Sequence, residues 1–136
     1  MNVENLTMTT MMTRNGLKIL PVEEWPLFKK RPLVIAGPCS AESEEQVLAT
    51  AAALAASGRV DLFRAGIWKP RTRPGQFEGV GSTGLWWLRR VQDEYGLPVA
   101  VEVATEKHVY EALKHGIDAV WIGARTSVNP FALHEI

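Results

Sequence analysis

At 136 residues the chain has the length of one ordinary domain. It is 46% hydrophobic and 22% charged, a globular composition that excludes an intrinsically disordered chain. Fifteen basic residues balance fifteen acidic ones, which argues against a protein that coats nucleic acid or an anionic membrane; any basic patch must be local and aimed at something small.

The single cysteine rules out an internal disulfide framework and fits a reducing compartment. The opening MNVENLTMTTMMTRNG has no apolar core of signal-peptide length, and no apolar run approaches a membrane span. The expectation is a cytoplasmic protein with no membrane or nucleic-acid partner.

Residues 1–30 are polar and then turn-rich, with Pro21 and Pro26, and read as an N-terminal extension or short cap. The regular pattern occupies 31–136. Leu33 to Ala36 is a short apolar run stopped by Gly37-Pro38, which predicts a fully buried strand. Ser43 and Gln46 have capping-box spacing, and the alanine-rich helix they open should stop at Gly58. A second strand is predicted over Leu62 to Ala65. After a long loop, a helix over Leu85 to Tyr95 ends at Gly96. Val99 to Val103 is a third strand. Thr105 caps a helix with Val109, Ala112 and Leu113 inward and Gly116 at its end. Ala119 to Ile122 is a fourth strand, and Asn129-Pro130 opens a further helix.

This β-α alternation means parallel strands with crossover helices. Two architectures use it, the open doubly wound sheet and the closed eightfold barrel. Both bind ligands at the carboxyl ends of the strands, and the unusual polar residues fall there. Cys39 follows the first strand, Arg64, Lys69 and Arg71 end or follow the second, Glu102 lies near the end of the third, and Arg125 follows the fourth. Each alone has a plain reading, as a packed thiol, a solvated loop or a surface ion pair. Their shared rim argues against four coincidences.

Arg64, Lys69, Arg71 and Arg73 put four cations into ten residues. Clustered cations repel unless an anion lies between them, and arginine's planar fork matches phosphate and carboxylate oxygens. The reading is a site for a small, multiply anionic, phosphorylated substrate. Gly79 to Gly84 also matches G-x-G-x-x-G, with Glu102 about twenty residues on. A dinucleotide fingerprint should leave its strand at once, and here a long cationic loop intervenes. Gly66, Gly75, Gly79, Gly81 and Gly84 are expected to let backbone approach a ligand closely.

Together "IAGPCSAES", "FRAGIWKPRT", "VEVAT" and "IGARTSVNP" resemble the type I 3-deoxy-D-arabino-heptulosonate 7-phosphate (DAHP) synthases, over residues 33 to 136. The same superfamily holds the 3-deoxy-manno-octulosonate 8-phosphate (KDO8P) synthases. The resemblance implies a (β/α)8 barrel, a divalent metal cation, and condensation of phosphoenolpyruvate with erythrose 4-phosphate in the shikimate pathway. It implies that Cys39 is a metal ligand, that Arg64 and Lys69 hold the phosphoenolpyruvate carboxylate and reacting centre, and that Arg71 and Thr72 contact erythrose 4-phosphate. Ala124, through its N–H, and Arg125 match the phosphoenolpyruvate phosphate site. Glu102 matches a carboxylate that holds water near the attacked carbon.

The motifs match only the first half of that barrel, about four βα units. Further metal ligands (a His, a Glu and an Asp) belong to the family's second half, and His108, His115 and His134 read here as ordinary surface residues. The expectations are therefore a truncated, inactive copy, homo-oligomeric through open strand edges, with the inward faces of Leu33, Ile35, Val101 and Ile122 incompletely covered. Two alternatives stand beside this. One is the KDO8P branch using arabinose 5-phosphate, which has Lys-Ala-Asn-Arg-Ser where this chain has Lys69-Pro70-Arg71-Thr72. The other is a half barrel that binds phosphorylated metabolites or assembles with itself, without catalysis.

Overall fold

A computed structural model describes residues 12–14, 17–27 and 32–136. The chain divides into two compact units, Met1–Leu33 and Val34–Ile136. In the first, strands β1 (Met12–Arg14) and β2 (Leu17–Ile19) pair antiparallel, with Met12 opposite Ile19 and Arg14 opposite Leu17. The sequence reading has no strands here. The signal is Asn15-Gly16 between them in sequence, the dipeptide most favoured in two-residue hairpin connections. A 3-10 turn over Val22–Glu24 follows Pro21, and Trp25 Nε1 donates to Leu20 O at 3.1 Å. The rest of the expected extension, including the first eleven residues scanned for a signal core, lies outside the described residues.

The second unit runs β3 (Ile35–Ala36), α1 (Glu44–Ser57), β4 (Leu62–Ala65), α2 (Thr83–Tyr95), β5 (Val99–Val103), α3 (Glu106–Lys114), β6 (Ala119–Ile122), α4 (Ala124–Ser127) and α5 (Pro130–Glu135). Helix ends follow the expected chemistry. Ser43 Oγ accepts from the Gln46 N–H and Thr105 Oγ1 from the His108 N–H, while Asn129 Oδ1 accepts from Phe131 and Ala132. Gly58 and Gly96 close α1 and α2 in the left-handed conformation.

Among the described residues of this unit, the strands form one parallel sheet in the order β3-β4-β5-β6. Each strand pairs with the next in sequence, with no reversal. A doubly wound sheet must reverse at a switch point. Right-handed crossovers without reversal put the helices on one face, which is the winding of an eightfold barrel.

Register then sorts the side chains. Neighbours in a parallel pair point the same way, and successive residues alternate. Phe63 pairs with Val99, Ala65 with Val101, and Val101 with Val120. Phe63, Ala65, Val99, Val101 and Val103 belong to the buried cluster with Val47 and Ala51 of α1 and Leu85, Leu88 and Val91 of α2. Burying each large side chain stabilises the fold by about 1.5–3 kcal/mol. The opposite face carries Ile35, Leu62, Arg64, Ala100, Glu102 and Trp121.

Three expectations need correction. The fully buried strand expected over Leu33 to Ala36 is a two-residue edge strand; its Ile35 does lie on the inward face, away from the helices, and is 50% exposed there. Val101 is fully buried on the helix side, and Ile122 shares that side but is 40% exposed. Neither belongs to the inward face, since a one-residue error in alternation exchanges the faces. Leu113 is 67% exposed, as α3 seats itself on the core through Val109 and Ala112.

Candidate active site at the carboxyl ends of the strands

Two loops are stitched together above β3 and β4. The Ala41 N–H donates to Gly66 O at 3.0 Å, and Gly66 sits so close to the Cys39 carbonyl that a Cβ there would collide with it. The chain after β4 is pinned in turn by Lys69 N–H to Glu78 O at 2.8 Å and Gly81 N–H to Ile67 O at 2.9 Å. A Cβ at Gly79 would strike the Ile67 carbonyl, and one at Gly84 would meet the Ile67 side chain. At Gly79 and Gly84 the missing Cβ lets the G-x-G-x-x-G run pack against Ile67.

From this frame Lys69 reaches back across the strand ends. Its Nζ donates to Cys39 O at 3.0 Å, stands 3.8 Å from Cys39 Sγ, and lies 3.6 Å from Glu102 Oε2. The Lys69 and Glu102 side chains are only 12% and 13% exposed. Register puts Arg64 and Glu102 on the face away from the helices, one strand apart. The Arg64 guanidinium first, and the Lys69 ammonium second, hold the Cys39 thiol below its ordinary pKa. The thiol is exposed, so its thiolate is accessible.

The other predicted contacts make no described hydrogen bond or ion pair with this cluster, although Ala124 directly follows Gly123, which lies against the Glu102 carboxylate. Arg71 is exposed and its Nε donates to Phe77 O at 2.7 Å, tying the loop to itself. Thr72 and Arg73 are exposed on the same loop. Ala124 and Arg125 are exposed in α4, a helical turn that sequence reading misses and that begins directly after Gly123. For a divalent cation the donor set is thin. Among the described residues, no three His, Cys, Asp or Glu side chains gather as a metal group. One sulfur with an ammonium beside it does not by itself make a metal shell.

Residues 29–136 match the DAHP synthetase I family. The chain belongs to that family. It is 41% identical over 96 residues to the phospho-2-dehydro-3-deoxyheptonate aldolase of Thermotoga maritima, covering 71% of this chain and 28% of the relative. It is 38% identical over 87 residues to the 2-dehydro-3-deoxyphosphooctonate aldolase of Variovorax paradoxus, covering 60% of this chain and 30% of that protein. A crystal structure of the Thermotoga maritima DAHP synthase superposes with TM-score 0.63 at 40% identity, over 71% of this chain and 28% of that one. A truncated form of the 3-deoxy-D-arabino-heptulosonate 7-phosphate synthase from Thermotoga maritima superposes with TM-score 0.60 at 33% identity, over 76% and 35%. The chain thus spans about three tenths of the length of the curated relatives it matches.

Within the family segment the structure adds residues that sequence reading passes over. Gly123 packs against the Glu102 carboxylate; the signal is a glycine directly after the strand that pairs with Glu102. His108 is not an ordinary surface residue. Its ring stacks on Trp68 with centroids 4.3 Å apart, and its Nδ1 accepts from the Ala104 N–H at 3.2 Å. Burial, helped by Lys107, lowers its pKa. His115 is also half-buried, its Nδ1 lying 2.8 Å from Glu111 O and its ring meeting the edge of Trp86. No described helix is long and apolar enough to cross a membrane.

Proposed function

We infer that these residues form the phosphoenolpyruvate side of a DAHP synthase active site, in a cytoplasmic transferase that joins phosphoenolpyruvate to erythrose 4-phosphate. The supporting observation is the convergence of Lys69 on Cys39 and Glu102 at neighbouring strand ends. An ammonium shared between a carbonyl and a carboxylate offers a fixed positive charge to an incoming anion. Arg64 beside it would take the phosphoenolpyruvate carboxylate in a forked contact.

In the condensation the enol carbon attacks the aldehyde carbon, whose oxygen takes up a proton to become a hydroxyl; water adds at the phosphate-bearing carbon, losing a proton, and that carbon then becomes the ketone as inorganic phosphate leaves. Glu102 would orient that water. Ala124, through its N–H, and Arg125 would take the phosphoenolpyruvate phosphate. Arg71, released from Phe77, and Thr72 would take the phosphate of erythrose 4-phosphate. Holding two anions together against their repulsion is positioning and electrostatics. The family's divalent cation is assigned Cys39 as one ligand. Its other donors would have to come from outside the described residues, and the resemblance assigns them to the second half of the barrel, so residues 1–136 tested alone are expected to turn over no substrate.

A barrel containing this segment tests the reading through phosphoenolpyruvate consumption with each aldose phosphate. Erythrose 4-phosphate should be the better substrate. Arg71→Ala should lower its kcat/KM by roughly 2–4 kcal/mol of transition-state binding and spare phosphoenolpyruvate. Preference for arabinose 5-phosphate would move the chain to the KDO8P branch, to which the Variovorax relative's name points.

A further inference from the structure

Helices α1 and α3 begin alike. Each has a hydroxyl cap, Ser43 or Thr105, that accepts from the N–H three residues on. In each, the side chain at that third position reaches back to the amide before the cap. Gln46 Oε1 accepts from the Glu42 N–H at 2.9 Å, and His108 Nδ1 accepts from the Ala104 N–H at 3.2 Å. A glutamine satisfies that amide at α1. An imidazole does so at α3, and it has a second contact.

The His108 ring lies flat on the Trp68 indole, with 5° between the planes. Trp68 is nearly buried and immediately precedes Lys69; Ala104 follows Glu102 by two residues. One ring therefore grips the segment that carries Lys69 and the strand end that carries Glu102, whose side chains meet at 3.6 Å. To accept from Ala104 the ring must be bare at Nδ1 and carry its proton on Nε2.

We propose that His108 is a positioning residue for the Lys69–Glu102 pair: clamped between Trp68 and Ala104, it fixes where the Lys69 ammonium stands against Cys39 and Glu102. Its consequence for catalysis rests on the function proposed above. The clamp is measured without substrate, so the two readings fail separately.

The chain's single thiol reports on Lys69. Cys39 reacts with iodoacetamide as the thiolate, which the Arg64 guanidinium favours most and the Lys69 ammonium next. His108→Gln keeps the back-reaching acceptor, as Gln46 does in α1, and removes the stack. Far-UV circular dichroism should be unchanged while the alkylation rate near neutral pH falls by roughly threefold. In a Lys69→Met background the same change should have no further effect. An unchanged rate in a folded His108→Gln chain, or an equal loss in the Lys69→Met background, would mean a helix cap and nothing more. Should His108→Gln fail to fold, nitrogen NMR of the unsubstituted chain decides. The ring must be bare at Nδ1 and show cross-peaks to the Trp68 indole; a proton on Nδ1, or no contact with Trp68, overturns the proposal.

Discussion

Gly123 and Glu102 approach so closely that a Cβ on Gly123 would collide with Glu102 Oε1. The carboxylate therefore lies across the end of β6, held between Gly123 and the Lys69 ammonium. Gly123→Ala should displace Glu102 and break its pairing with Lys69. The obstruction is the far end of a flexible side chain, so the cost falls at the low end of overpacking, about 1 kcal/mol. A lowered urea midpoint checks it, and a midpoint equal to the parent chain's would show that Glu102 can move freely.

Asp61 is 4% exposed, and its Oδ2 accepts from the Val34 N–H at 2.9 Å. That bond ties the start of β4 to the chain entering β3. Asp61→Ala leaves a half-buried amide unpaired and should destabilise the fold by roughly 1–3 kcal/mol. Amide exchange at Val34 should quicken with it. Slow exchange at Val34 in the variant would argue that another acceptor takes over.

The N-cap hydroxyls of Ser43 and Thr105 each accept one helix N–H. Replacing either by Ala should cost about 1 kcal/mol, and by Gly a few tenths. The two losses should add, since the caps belong to different helices with no shared partner. Denaturant titration of the single and double variants checks both statements.

The lowered pKa of His108 carries a sign for stability. Burial and the nearby Lys107 disfavour its charged form in the fold, so the unfolded chain binds that proton more readily. The contribution is complete above the ordinary imidazole value and is lost as pH falls through that value towards the lowered one. His108→Gln should flatten this step in urea midpoint against pH. An undiminished step in the variant would assign it to another group.

The lowered pKa of Cys39 predicts a thiol that alkylates at lower pH than a free cysteine. Arg64→Gln should move the profile upward more than Lys69→Met, since Arg64 is the larger cause. The reverse order would shift the assignment to Lys69.

Exposed Ile35 on β3 and Val120 and Ile122 on β6 lie at the edges of the sheet among the described residues, and Val128 and Phe131 are 80% and 82% exposed beyond it. Open edges of apolar strands pair with other chains. Sedimentation of residues 1–136 should show association that grows with concentration. A monomer at all concentrations would remove edge pairing as its cause.

Local chemistry was legible in the sequence. Ser43, Thr105 and Asn129 as caps, Gly58 and Gly96 as stops, and the strands over Leu62–Ala65 and Val99–Val103 follow from residues within a few positions of one another. So did the gathering of Cys39, Arg64, Lys69 and Glu102 at strand ends, because alternating β and α segments send every such end to one rim. Three matters needed the tertiary structure. Pairing decided that the sheet winds one way, because strand order depends on contacts between distant segments. Register decided that Val101 faces helices while Arg64 and Glu102 face away, because one residue of slip exchanges the faces. Close approach decided that Lys69 turns inward onto Cys39 and Glu102 while Arg71 stays on its own loop, and that His108 lies on Trp68. The contacts of Lys69 and His108 join residues about thirty to forty positions apart, and sequence spacing carries no distance between segments until packing brings them together.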